Sequence, residues 1–115
     1  MKIVNRKTFL ELPSGTIYSE HYSGDGFNNL SIKYETWGND WIYMDINDFD
    51  DCENSGERYE KIDKMRDEGA EYPLNLDTTS RDGLFEDEQM FAIYDENDVN
   101  KIIEVLTQAV TKMKR

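Results

Sequence analysis

Carboxylates are the one abundant reactive group in this chain, with 25 Asp and Glu among 115 residues against one histidine and one cysteine. The first chemistry to ask of them is cation binding. A calcium loop of the EF-hand type needs acids or amides at positions 1, 3 and 5, glycine at 6 and glutamate at 12. Counting from Asp77, Glu88 falls at position 12, but Arg81 occupies position 5 and Gly83 comes one residue late. Counting from Asp45, Asn47 fits and Phe49 does not. Neither stretch is such a loop, and Asp48, Asp50 and Asp51 offer only incidental, weak Ca²⁺ or Mg²⁺ binding. One His and one Cys cannot supply the usual zinc ligand set. No metal or cofactor is expected.

Catalytic arrangements fare no better. His21 lies in a predicted strand, and no signature surrounds any Ser or Cys that it could activate. Cys52 sits among acids, an unfavourable setting for a thiolate nucleophile. Paired carboxylates can cleave glycosidic bonds, but with so many acids a close pair arises by chance. Neither a GxGxxG fingerprint nor a phosphate-binding loop is present, and an acidic field opposes nucleotide phosphates. The residues do not read as those of an enzyme.

The distribution of charge is more informative. Residues 1–39 are neutral and 99–115 carry +3, so the middle, 40–98, carries −15 of the net −12. Two stretches there contain no base: 40–53, with six acids, and 82–98, with seven. Such a field repels nucleic acid and anionic membranes and attracts basic surfaces. By contrast 54–71 nets only −2, and its Glu57–Lys61 and Glu60–Lys64 spacings are those of an ordinary solvated helix face.

These groups must be positioned by a small fold. The length suits one domain spanning 1–115. A mean hydropathy of −0.82 and high charge also describe disordered chains, but two Trp, seven Tyr and five Phe argue for a core. The single cysteine permits no internal disulfide. Residues 1–7 lack the apolar run of a signal peptide, and no window approaches the ~20 apolar residues of a membrane helix. A soluble, cytoplasmic protein is expected.

Asn5 should cap a short helix over Arg6–Leu12, stopped by Pro13-Ser14-Gly15. A strand follows over Thr16–Tyr22. Leu30, Ile32 and Tyr34 alternate with Ser31, Lys33 and Glu35, which predicts one buried and one wet face. Trp41–Ile46 returns across a Gly38-Asn39-Asp40 turn to complete a hairpin, with Ile42, Met44 and Ile46 inward and Trp41, Tyr43 and Asp45 outward. Asn54 caps a helix that runs to Glu68 and stops at Gly69. Tyr72–Leu76 reads as a short edge strand, because Pro73 excludes a central place. Gln89–Tyr94 reads as a central one. From Asp95 or Asn97 a last helix repeats Val99, Ile102, Ile103, Leu106, Ala109, Val110 and Met113 at three- and four-residue steps, and should cover the sheet. The expected class is α+β: a mainly antiparallel sheet of about five strands, helices packed on one face, and a long C-terminal amphipathic helix.

The run from Lys2 to Thr16, and the Arg81-Asp82-Gly83-Leu84-Phe85 turn before Phe91-Ala92-Ile93-Tyr94, resemble small acidic phage- and prophage-encoded accessory proteins of the anti-defence type, anti-CRISPR or anti-restriction. The resemblance covers about a third of the chain, and its motifs are structural. It implies inhibition of host defence nucleases, in some members by carboxylates standing where DNA phosphates would sit; it assigns no functional residue. Combined with the charge, it gives the expectation of a DNA-mimic-like inhibitor that binds the basic surface of a nucleic-acid-binding protein, without touching nucleic acid or membrane itself. The residues expected to meet that partner are Trp41, Tyr43, Asp45, Asp48, Asp50, Asp51, Glu53, Asp82, Glu86, Asp87 and Glu88. The same charge would serve an immunity or antitoxin-like protein that neutralises a basic toxin.

Overall fold

Three side-chain caps set the helices where the sequence placed their starts. The Asn5 carboxamide accepts the Thr8 N–H at 2.9 Å and opens α1 (Arg6–Leu10). Asn54 accepts the Glu57 N–H at 2.8 Å and opens α2 (Ser55–Glu68), which Gly69 closes at φ +71°, a left-handed conformation open to glycine. Asp95 and Asp98 exchange side-chain and backbone bonds in a reciprocal box that opens α3 (Glu96–Met113). The computed structural model that shows these elements describes residues 1–21, 24, 26–47, 52 and 54–114.

Among the described residues six strands complete an α+β domain: β1 (Lys2–Asn5), β2 (Ile17–His21), β3 (Ser31–Trp37), β4 (Asp40–Asp45), β5 (Ser80–Arg81) and β6 (Met90–Tyr94). They form one antiparallel sheet in the order β1-β6-β2-β3-β4-β5. β6 is central, as its two-sided apolar composition predicts, and β3–β4 is the expected hairpin. Two elements depart from the sequence reading. Lys2–Asn5 forms an edge strand on β6, with Ile3 opposite Ala92. Tyr72–Leu76 is irregular, and the other edge is the two-residue β5, drawn to β4 by a bond between Arg81 and Asp40.

The hairpin faces are the reverse of those expected. Ser31 and Lys33 are 3 and 1% exposed, whereas Ile32 and Tyr34 are only half-buried. The cause is α1. This five-residue helix lies over the Lys33 face and delivers Phe9 into a cluster of rings. Phe9 stacks on Phe91 at 3.9 Å and meets Tyr18 and Trp41 edge-on at 4.7 and 5.0 Å. Trp41 is therefore wholly buried, not an outward-facing anchor, and its indole N–H donates to the Tyr18 hydroxyl at 3.1 Å. Tyr43, two residues on, packs on the edge of the same core.

Lys33 is tolerated there because all its donors are used. Its ammonium donates to the Leu12 and Tyr34 carbonyls at 2.9 and 3.1 Å and to Thr36 Oγ1 at 2.7 Å. Burial still pulls its pKa below the usual lysine value. β3 is irregular between Lys33 and Thr36, where three steps on β3 match two on β4, and this keeps Thr36 opposite Trp41. The other sheet face is less completely covered. Ser19 and Ala92 are buried, but Ile17, Ile32, Met44 and Tyr94 are half-exposed, and α3 meets the sheet at β6 without covering it.

Truncating the central ring should be costly. Phe9→Ala is expected to destabilise by about 3–5 kcal/mol in urea unfolding, a large share of the stability of a domain this size. The two tryptophans should also separate in acrylamide quenching. Trp37→Phe, which leaves buried Trp41, is expected to give blue-shifted, protected emission. Trp41→Phe, which leaves the 55% exposed Trp37, should give red-shifted, accessible emission.

Candidate functional site

Asp40 is the fully buried carboxylate from which the acidic region is built. It stands at the start of β4, where one oxygen accepts the Trp41 N–H at 2.9 Å. Gly83 N–H lies 3.1 and 3.2 Å from the two oxygens, and Arg81 Nε donates to the second. Burial works to raise this carboxyl, but the Arg81 bond and the two backbone N–H bonds outweigh it, and the net pKa is lowered. The bonds fix residues 81–83 across the end of the hairpin, and Asp82 N–H adds a bond to the Trp41 carbonyl at 3.2 Å.

The loop that follows is anchored at both ends. Gly83 takes φ +68°. Leu84 N–H donates to Asp82 at 3.2 Å, and Phe85 is held at φ +53°, uncommon for a bulky residue. The Arg81 guanidinium lies 5.7 Å from the Phe85 ring. At the far end Gln89 is buried; its N–H reaches the Glu86 carbonyl at 3.2 Å, and its side chain accepts from Arg6. The result is a fixed loop that presents Leu84 and Phe85, 53 and 47% exposed, beside the exposed acids Glu86, Asp87 and Glu88. Among the described residues those three acids make no ion pair.

Behind Leu84 lies a cavity of about 280 Å³ lined by Glu20, Asp45, Asp82, Tyr18 and Tyr43, with Asn28, Asn29 and Ser31. β2, β4 and the 81–83 segment each contribute one carboxylate. Asp45 accepts a bond from the Ser31 hydroxyl, and Asp82 lies 3.8 Å from Arg6 with its side chain 5% exposed. Burial raises the Asp82 carboxyl above the ordinary range, and the nearby Asp40 charge pushes the same way. Burial likewise raises the Tyr18 hydroxyl, and the Glu20 and Asp45 charges add to it. Acids beside aromatic rings are chemically suited to a cationic group, through Coulomb and cation–π attraction.

The structure thus draws together Tyr43, Asp45 and Asp82 at the cavity and Glu86, Asp87 and Glu88 on the adjoining loop. Trp41 is removed from the site by its burial. Asp48, Asp50, Asp51 and Glu53 lie outside the described residues. Asp40 and Asp82, both in stretches without a local base, are not without cations: Arg81 and Arg6 reach them from 41 and 76 residues away. Glu20, Leu84 and Phe85 were missed by the sequence reading. Glu20 comes from a segment of neutral net charge, and only the pairing of β2 with β6 and β3 carries it to the others. The chain matches no family model, no curated protein and no solved structure.

His21 Nδ1 lies 2.8 Å from the Gly26 carbonyl and its ring leans on Phe27 at 5.2 Å. Among the described residues no three His, Cys, Asp or Glu side chains are grouped to hold a metal ion, and no helix is long and apolar enough to cross a membrane. The predicted Lys61–Glu57 and Lys64–Glu60 pairs on α2 are formed at 3.5 and 3.1 Å.

Asp40 and Asp82 should affect stability with opposite signs. Asp40 has a lowered folded pKa, so its contribution is complete above the unfolded value and disappears as pH falls through the folded one. Asp82 has a raised folded pKa, so its charge opposes folding at neutral pH and protonation relieves it. At pH 7, Asp40→Ala is expected to lose about 1–3 kcal/mol and Asp82→Asn to gain stability. On acidification in urea melts, the Asp82→Asn difference should fade first, above the ordinary Asp pKa. The Asp40→Ala difference should fade only below it.

Proposed function

We propose that this chain is an acidic protein–protein inhibitor, of the DNA-mimic-like kind and phage-encoded, that occludes the basic nucleic-acid-binding surface of a host defence nuclease or effector. The observation carrying the reading is the cavity that Glu20, Asp45 and Asp82 line together with Tyr18 and Tyr43, next to a fixed loop bearing Leu84, Phe85 and three exposed acids. In this reading a Lys or Arg that normally holds a phosphate enters the cavity, and Leu84 and Phe85 supply the apolar anchor that sets register. Glu86, Asp87 and Glu88 steer the encounter, as rim charges do. A groove that tracks duplex DNA meets one phosphate per ~1.7 Å of axis and is correspondingly rich in bases. The −15 carried by residues 40–98 complements such a groove. Competition is the mechanism: nucleic acid and inhibitor cannot occupy the groove together.

Immobilised protein tests this in host lysate washed at low and then high salt. A nucleic-acid enzyme is expected to be retained at low salt, partly released at high salt, and displaced by added duplex DNA. Reversing Glu86, Asp87 and Glu88 to Lys should slow association about tenfold or more, and Glu20→Gln with Asp45→Asn should speed dissociation. Charge reversal at Asp48, Asp50 and Asp51 examines the other base-free stretch in the same assay. Retention indifferent to DNA and to all these variants would overturn the reading, and capture of a small basic toxin would replace it with neutralisation of that toxin.

A further inference from the structure

The second half of α3 is apolar on one side and open to solvent. Ile103, Leu106, Val110 and Met113 are 54, 59, 46 and 81% exposed, whereas Val99 and Ile102, nearer β6, are half-buried. An isolated helix of about 12–15 residues is marginal in water, so this half gains stability from an apolar cover.

Spacing and charge identify that cover. Val99, Ile103, Leu106, Val110 and Met113 succeed one another by four, three, four and three residues, the period of a coiled-coil seam. Asp95 and Glu96 stand at one end of the helix, where Asp98 already pairs with the Met1 amine at 2.8 Å, and Lys112 and Lys114 stand at the other. A parallel pair of such helices would set like charges together. An antiparallel pair sets each acidic start beside the other's basic end. The surface is complementary to itself when inverted, which is the condition for a two-fold interface.

We propose that α3 pairs antiparallel with α3 of a second copy of this chain, with Leu106 near the two-fold axis. Each copy carries −12, so long-range repulsion opposes the approach. An 18-residue helix is ~27 Å long, and a pair this short buries less than the ~800 Å² per partner of a standard interface. The dimer is therefore weak, concentration-dependent and strengthened by salt, which screens the repulsion more than it weakens the few contacts at the helix ends. Binding to a basic partner is weakened by salt, so the two ideas fail separately.

Sedimentation velocity over a concentration series, at low and high salt, provides the test. Wild-type protein is expected to pass from monomer to dimer, and at lower concentration in high salt. Leu106→Asp should weaken the dimer at least about 100-fold. Met113→Glu, at the most exposed seam position, should weaken it less, and Trp41 quenching reports whether either variant keeps its core. Glu96 and Lys112 are 16 residues apart on one helix, about 24 Å, so a zero-length carbodiimide link between them forms only between antiparallel copies. A wild-type protein monomeric at every concentration, a Leu106→Asp variant that dimerises normally, or dimers without the Glu96–Lys112 link would overturn the proposal.

Discussion

The stacking of Phe9 on Phe91 is the contact on which the rest depends. α1 has five residues, too few to persist alone, and it is held by the Asn5 cap and by this ring. Once Phe9 is seated, the sheet face beneath it becomes the interior. Tyr18, Trp41 and Phe91 close around it, and two cations are buried at its margins: Arg6, 5.0 Å from the Trp41 ring, and Lys33, 5.9 Å from Phe9. Both are held by hydrogen bonds, Arg6 to the Gln89 side chain and the Asn39 carbonyl and Lys33 to the Leu12 and Tyr34 carbonyls. Replacing Arg6 with an apolar residue would remove a charge from the interior but also take the donor from the buried Gln89 side chain.

That arrangement also explains how the acidic region comes to have a defined shape. Like charges in sequence tend to hold a chain open, and residues 82–88 are such a run. Here the run is fixed at its origin by Asp40, a buried acid whose partners are Arg81 and the Gly83 amide, and at its far end by Gln89, which is bonded to Arg6. Acids placed in the interior thus position acids placed on the surface.

How much of this was legible in the sequence depended on the range of the interaction. Caps are local, so Asn5, Asn54, Asp95 and Gly69 could be read directly, as could the i,i+4 pairs of α2. The hairpin was legible from its turn and its alternation, but its inward face was not, because alternation states only that two faces differ. Which face is covered was decided by α1, and a lysine whose donors are all bonded can sit where hydropathy places a leucine. Trp41 was misplaced for this reason. The 72–76 segment had the composition of a strand, but Arg81 holds a bond to Asp40 that ties the neighbouring Ser80–Arg81 to β4 instead. At the candidate site, the loop acids were visible as a cluster, while Glu20 was not, since it enters only through the order of strands.

The strand order has a consequence for how the chain reaches this state. β6 lies between β1 and β2, so the first and second strands meet only through a strand that ends at Tyr94. Phe9 likewise finds its stacking partner 82 residues later. While the chain is being synthesised, its aromatic residues therefore wait uncovered until almost the whole domain has left the ribosome, the situation in which nascent proteins aggregate. What emerges during that wait is the segment carrying −15, a charge that opposes the approach of another unfinished copy. The carboxylates that would face a partner in the finished protein serve as the chain's own solubilising element before it is finished.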